Sequence, residues 1–335
     1  MKRIILIAVL IFLLAAVMAV VGCSRKSHYQ VFMEAVERTE ALEKGKMSMD
    51  MVMEIGFNKE GLPEDALEFL KFFENLKLSL KDEFDKGKNE SVKKIFLQSG
   101  ELGIDAKIYT RGDVSYVITP LIPKILVIKG EELIHIGSGD INDLNIPSLS
   151  EESLEQLKNV WQSLYSQENV TALEDIVLDT PGGKVKAKKY RVKLTDQQLK
   201  PALKKSMEII SQDKGFMDSL EIMMESMDEE IIIRGILRQS IKLLDQATIN
   251  SFDQLAYIDR DNYVIEETVN LDITLHFTEP GTPRQYKFNL IIERWDLNRE
   301  PKIDFPEVTP ENSITPGQLK EGFPDPVESM KGENR

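Results

Sequence analysis

The sequence predicts an α+β fold built on one large curved antiparallel sheet with helices on one face. Three observations carry that expectation. Strand-like segments recur at short intervals from Leu76 to Ile136, separated by turn sequences such as Lys86-Gly87-Lys88-Asn89, Arg111-Gly112-Asp113 and Lys129-Gly130-Glu131. Connections that short join antiparallel neighbours only, because a parallel pair needs a long crossover. Helical periodicity brackets this meander, and three further strands close the chain. That order suits a single sheet with a helical layer better than two independent domains.

The chain opens MKRIILIAVLIFLLAAVMAVVGCS. Lys2 and Arg3 form a short positive segment, an uncharged apolar run follows, and small residues precede Cys23. A charged start, an apolar core and a small-residue break are what an export signal requires. Val20-Val21-Gly22-Cys23 resembles the bacterial lipobox. That resemblance implies a signal peptide over 1–22 and a mature N-terminus at Cys23 carrying a diacylglyceryl thioether, with a further N-acyl chain in some bacteria. It places the protein at the cell membrane, lipid-anchored on the extracytoplasmic face. Cys23 is the only cysteine in 335 residues, so the exported domain forms no intrachain disulfide.

Formal charge is −14, or −16 once Lys2 and Arg3 leave with the signal. Such a surface repels nucleic acid and anionic lipid headgroups, so a basic-patch binder is not expected.

Residues 23–29 read as a lipidated tether and 30–308 as the folded domain. From Gln30 to Leu42 the apolar residues Val31, Phe32, Ala35, Val36 and Leu42 are spaced for a helix, with Gly45 as a stop. The first strand follows as KMSMDMVMEIGF (46–57), then a turn and a short helix over 65–73. The meander is expected at 76–84, 92–98, 103–109, 114–119, 124–128 and 133–136. A helix over 150–165 precedes a hairpin across 170–192, turning at Pro181-Gly182-Gly183. Thr195-Asp196-Gln197-Gln198 has the form of a capping box and opens a helical segment over about 195–247, with a break near Asp213-Lys214-Gly215. The last strands are expected at 254–258, 263–277 and 286–297. Residues 309–335, rich in proline, glycine and charge, read as a flexible polar tail.

The helix before the first strand, the Tyr109–Asp113 hairpin, LAYIDRDNYVIEETVNLDITL (255–275) and WDLNREPKIDFPEV (295–308) together resemble the LolA-like group of exported lipoproteins. That group includes periplasmic lipoprotein carriers and mycobacterial LppX-type lipid binders. The resemblance implies an unclosed half-barrel whose concave apolar face is capped by helices. It also implies a cavity that holds acyl chains in some members, and a scaffold for a protein partner in others. The helical stretch from Gly215 to Leu244 departs from the compact carriers.

Met47, Met49, Met51, Met53 and Ile55 share one strand face, because side chains alternate across a strand. Met217, Met223, Met224 and Met227 form a second cluster on the helical segment 216–227. Three chemistries fit such a pattern. Methionine fills ordinary sheet–helix cores, it lines surfaces that accept varied apolar shapes, and its thioether is a soft ligand for copper(I). His28, His135 and His276 are scattered, which leaves copper without imidazole support, and the sequence calls for no cofactor or metal.

No nucleophile motif accompanies His135, and Gly137-Ser138-Gly139 is too short for a phosphate loop. Asp259-Arg260-Asp261-Asn262 lacks the spacing of a calcium loop and reads as a hairpin turn. Asn169-Val170-Thr171 matches a glycosylation acceptor that has little meaning in a bacterial lipoprotein, and the acidic stretch 221–230 reads as a solvated surface or a weak partner site. The expectation is therefore a non-enzymatic, membrane-anchored protein that binds a lipid, acyl chain or similar hydrophobic ligand between the methionine strand and the helices. The alternative is a scaffold whose sheet is filled by its own helices and which recruits or regulates a cell-envelope protein.

Overall fold

The computed structural model describes residues 26–129, 149–225, 241, 244–276 and 281–322. The expected signal peptide, Cys23, the strand at 133–136 and His135 lie outside these residues.

Helix α1, His28–Glu40, starts at a capping box. The Ser27 amide donates to Gln30 Oε1 at 2.9 Å, and the Gln30 amide donates to Ser27 Oγ at 3.2 Å. Its last turn is tied to the sheet by Thr39 Oγ1, which donates to the Ala35 carbonyl and accepts from the Val264 amide at 2.8 Å. β1, Lys44–Phe57, follows, then α2, Glu64–Glu74. The meander is β2 Asn75–Asp85, β3 Glu90–Ser99, β4 Leu102–Arg111, β5 Val114–Thr119 and β6 Ile122–Lys129. After it come α3 Glu151–Gln162, β7 Val170–Ala172, β8 Ile176–Thr180, β9 Gly183–Lys193, α4 Asp196–Gln212 and α5 Lys214–Glu225. β10 Ala247–Ile258, β11 Val264–Leu275 and β12 Pro283–Trp295 complete the main sheet, and β13 Ser313–Ile314 and α6 Pro316–Gly322 follow.

The strand order is β13-β6-β5-β4-β3-β2-β1-β12-β11-β10-β9-β7, with β8 paired to β9. β13 and β7 stand at opposite ends, so the sheet is open. β1 joins two arms, pairing β2 on one side and β12 on the other, both antiparallel. β13 on β6 is a parallel pair. The expected α+β half-barrel with helices on one face is the observed architecture.

Register settles which side chains share a face. Met49 stands opposite both Leu80 and Ile292, Met51 opposite Leu78 and Leu290, and Met53 opposite Leu76 and Phe288. The row continues through Ile95 and Leu97 of β3 to Ala106 and Ile104 of β4. On the other arm it runs through Val269 and Leu271 to Gln254 and Phe252. One largely apolar face therefore runs from β4 to β10.

At the β9–β11 end this face is filled. Phe32 and Ala35 of α1 are fully buried among Tyr190, Val192, Ala256, Ile258 and Val264, with Leu199 of α4 in the same cluster. Phe32 meets Tyr165 edge-on at 5.2 Å. A smaller core, made of Ala187, Tyr257 and Ile265, lies on the opposite face under the β8–β9 hairpin.

Three differences from the sequence expectations have local causes. β10 begins at Ala247 rather than Gln254, because a bulge between Ile249 and Ser251 breaks the alternation that marks a strand. The single hairpin expected over 170–192 is two short strands, β7 and β8, pairing in turn with successive halves of β9. The helical segment divides at Asp213, where the sequence predicts a break: the Asp213 carboxylate accepts the Phe216 amide at 3.0 Å and starts α5 anew. The tail expected from 309 is docked in its first part: β13 pairs with β6, and Ile314 and Leu319 pack on Leu126 and Ile128.

Candidate ligand-binding face

β1 alternates so that Met47, Met49, Met51, Met53 and Ile55 all point to the helix-bearing face, and all five are half-buried. On the reverse face Asp50 and Glu54 are exposed, while Ser48 is buried and donates to Glu293 Oε2 at 3.2 Å. The row is widened by residues the sequence reading did not single out. Leu76, Leu78 and Leu80 come from NLKLSL, and Phe288, Leu290 and Ile292 from β12. The signal was present, since NLKLSL carries the same period-two pattern as the methionine strand. Towards β4 the cover thins: Leu97 is 49% exposed, Ile104 47% and Leu102 65%.

Met217 of α5 is fully buried. Met223 and Met224 belong to the same helix, without side-chain positions among the described residues, and Met227 lies outside them.

The upper end of the apolar face turns polar. Arg294 stands opposite Met47 and forms an ion pair with Glu267 at 2.8 Å, and its second nitrogen donates to the Val264 carbonyl at 3.2 Å. Gln254 Nε2 donates to Glu267 at 3.3 Å, and the Tyr165 hydroxyl donates to Gln254 Oε1 at 3.2 Å. Burial pushes the Tyr165 phenol up to about 12, against the lowering effect of its bond to Gln254. On the other side of Met47 stands Asp82, whose Oδ1 is buried without a hydrogen-bond partner among the described residues. Burial raises its pKa, and Lys93, directly across on β3, pulls it back.

Two cavities flank this polar end and share Thr39 and Arg294 as walls. One, of about 370 Å³, is bounded by Met47, Asp82, Phe84 and Lys93. The other, of about 480 Å³, lies between α1 and α3 against Val36, Trp161 and Tyr165. The arrangement offers an apolar strip ending in a charged, hydrogen-bonding rim. That is the chemistry of an amphipathic ligand, apolar along most of its length and polar at one end.

The other residues weighed from the sequence are structural here. His276 Nε2 is 2.9 Å from Thr248 Oγ1, and the His28 ring lies 6.4 Å from that of Tyr190. Asp259 Oδ1 accepts the amides of Asp261 and Tyr263, which makes its tetrapeptide a turn. Asn169 braces the exit of α3, accepting from the Ser166 amide and donating to the Leu164 carbonyl. Among the described residues, no group of three His, Cys, Asp or Glu side chains is placed to hold a metal ion.

No protein-family model matches the chain. No curated protein matches it. Among solved structures it is similar to a LolA superfamily protein from Nitrosomonas europaea, at 7% identity and a TM-score of 0.21, over 84% of this chain and 96% of that one. It is also similar to a β-barrel-like protein of a domain of unknown function from Brucella abortus, at 9% identity and a TM-score of 0.17, over 76% of this chain and 99% of that one. The architecture described above rests on the strand register itself.

Proposed function

We propose that this chain is a bacterial lipoprotein, anchored to the extracytoplasmic face of the cell membrane through Cys23, that binds a lipid or acyl chain on the methionine face of its sheet. One observation carries the reading. Leu97, Leu102 and Ile104 continue the apolar row of β1 and β2, yet the described residues leave them about half exposed or more. A folded domain does not ordinarily leave a contiguous apolar strip unburied unless something else covers it. Methionines at the centre of the strip suit a guest of variable shape better than branched side chains would. Binding is passive: apolar area leaves water at about 25 cal/mol per Å², and no bond is made or broken. The polar rim at Arg294 and Asp82 gives such a ligand a direction.

Native mass spectrometry of the chain purified with bacterial lipids tests the reading. A retained lipid mass, lost when Met49→Trp and Met51→Trp fill the strip without unfolding the protein, is the expected result. A clean apo mass after incubation with several lipid classes would overturn it in favour of a protein-recruiting scaffold. The anchor is checked separately by the mass of the mature chain. Cleavage before Cys23 with added acyl mass is expected, and Cys23→Ala abolishes both.

A further inference from the structure

The chain is strongly acidic overall, yet β9 reads GKVKAKKYRVK, with six basic residues and no acidic one. Strand alternation divides them. Tyr190 and Val192 enter the helix-covered core, so Lys188, Lys186 and Lys184 continue the same side beyond it, and all three are exposed. Val177 of β8 pairs with Lys186 and joins that row at 60% exposure. The neighbouring acids hold the lysines only loosely. Lys184 lies 3.8 Å from Asp179 and Lys186 3.9 Å from Asp175, with every partner at least half exposed. Pairs of that kind contribute little and exchange readily. Across an open cavity of about 770 Å³ stand Asp259, Arg260 and Asp261 of the β10–β11 turn.

The second observation is where the chain leaves the described structure. α1 begins at His28, whose ring is 6.4 Å from that of Tyr190 on β9. Four residues separate Cys23 from His28, five steps along the chain and a span of at most about 18 Å. Lys188 is two residues from Tyr190 and Lys184 six, about 7 and 20 Å along the strand. A lipid on Cys23 therefore brings the lysine row within reach of the headgroup layer.

We propose that the β8–β9 hairpin is a membrane-docking element, laying Lys184, Lys186, Lys188 and Val177 against an anionic phospholipid surface beside the anchor. The proposal rests on the anchored reading above and adds the orientation of the domain. Charge complementarity selects the face: the acidic remainder is repelled by the same headgroups that attract this strand. The domain then stands in one pose rather than swinging on its tether.

The test supplies the anchor independently of Cys23. The chain from Ser24 onward contains every element described, from the cap at Ser27 to α6. Tagged with histidines at its N-terminus, it is tethered to vesicles carrying a nickel-chelating lipid, in phosphatidylcholine alone or with about one-third phosphatidylglycerol. Hydrogen exchange of the segment 173–193 is then read. Several-fold slower exchange on the anionic vesicles is expected, reversed by 0.5 M salt and by Lys184→Gln with Lys186→Gln and Lys188→Gln. Each lysine removed lowers the docked-to-undocked ratio about fivefold. Equal exchange on both vesicles, or protection that survives the triple variant, would overturn the docking surface. Neither result bears on lipid attachment at Cys23, which the mass of the mature chain decides.

Discussion

The two arms of the sheet begin from the same alternating pattern and end differently. Around β9–β11 the apolar face is closed: Phe32 and Ala35 of α1 have no exposed surface, and Tyr165 meets the Phe32 ring edge-on. Around β1–β4 the same face, in continuous register, carries half-buried methionines and leaves Leu97 and Ile104 about half exposed. A core and a binding surface can thus be built from one strand grammar. What separates them is how fully helices from the same chain bury the row: α1 seats its fully buried Phe32 and Ala35 over β9–β11, whereas α2 lies against β1, β2 and β3 and still leaves Leu97 and Ile104 about half exposed.

The largest expected effect lies in the closed arm. Phe32→Ala removes a ring enclosed by Tyr165 and Tyr190, and should cost about 3–5 kcal/mol in chemical denaturation. A loss under about 1 kcal/mol would mean that α1 is a loosely held cap and that the two arms differ less than the burial implies.

Next comes the joint between the helices that cover this arm. Asp213 Oδ2 accepts from the Ser150 amide at 2.8 Å and from its hydroxyl at 2.7 Å, while Oδ1 caps α5, so one carboxylate fastens α3 to the α4–α5 break. Burial pushes its pKa up, but the bonds from Phe216, Ser150 and Ser153 outweigh this and hold it well below the usual carboxylate range. With the folded pKa depressed, the stabilisation is present above the unfolded value of about 4 and is lost as pH falls below it. Asp213→Ala should cost about 1–2 kcal/mol at pH 7 and progressively less towards pH 3, measured as urea midpoints for both proteins.

A smaller effect is expected at the boundary between the arms. Tyr165→Phe removes the hydroxyl bonded to Gln254 and should cost about 1 kcal/mol at neutral pH. Because burial raises the phenol to about 12, its contribution is complete below the unfolded value near 10 and fades as pH climbs through the folded one. The wild type should therefore lose stability above pH 10 more steeply than the phenylalanine variant. Parallel curves would place the hydroxyl in water.

Much of this was legible in the residues. The alternation from Met47 to Phe57 predicts the strand and the face its methionines share, and Thr195 with Gln198 predicts the start of α4, where the Thr195 amide does donate to Gln198 Oε1 at 2.9 Å. What escaped was long-range. Arg294, Glu267, Gln254 and Tyr165 come from separate elements, and no local spacing announces that they converge beside Met47. Ile314 and Leu319 are isolated apolar residues in a proline-rich stretch, too sparse to show periodicity, and only β6 gives them a surface. The bulge after Ile249 hid half of β10 for the opposite reason, by interrupting a period that was present.

The smallest effect on stability is the most informative for the open arm. Leu97→Ser and Ile104→Ser alter side chains already about half in water, so each should change stability by about 1 kcal/mol or less. If a lipid or acyl chain covers the strip, the same substitutions should weaken its retention. The area each side chain still exposes corresponds to about 1 kcal/mol on binding, or roughly fivefold in affinity. The two numbers separate the readings when measured on the same variants. A stability change of about 1 kcal/mol or less with weakened lipid retention marks the strip as a surface kept for a guest. A stability loss of about 2 kcal/mol or more, with no lipid retained by either protein, would mean that the chain covers Leu97 and Ile104 with its own residues. The open arm would then be a second closed core, and the scaffold reading would take over.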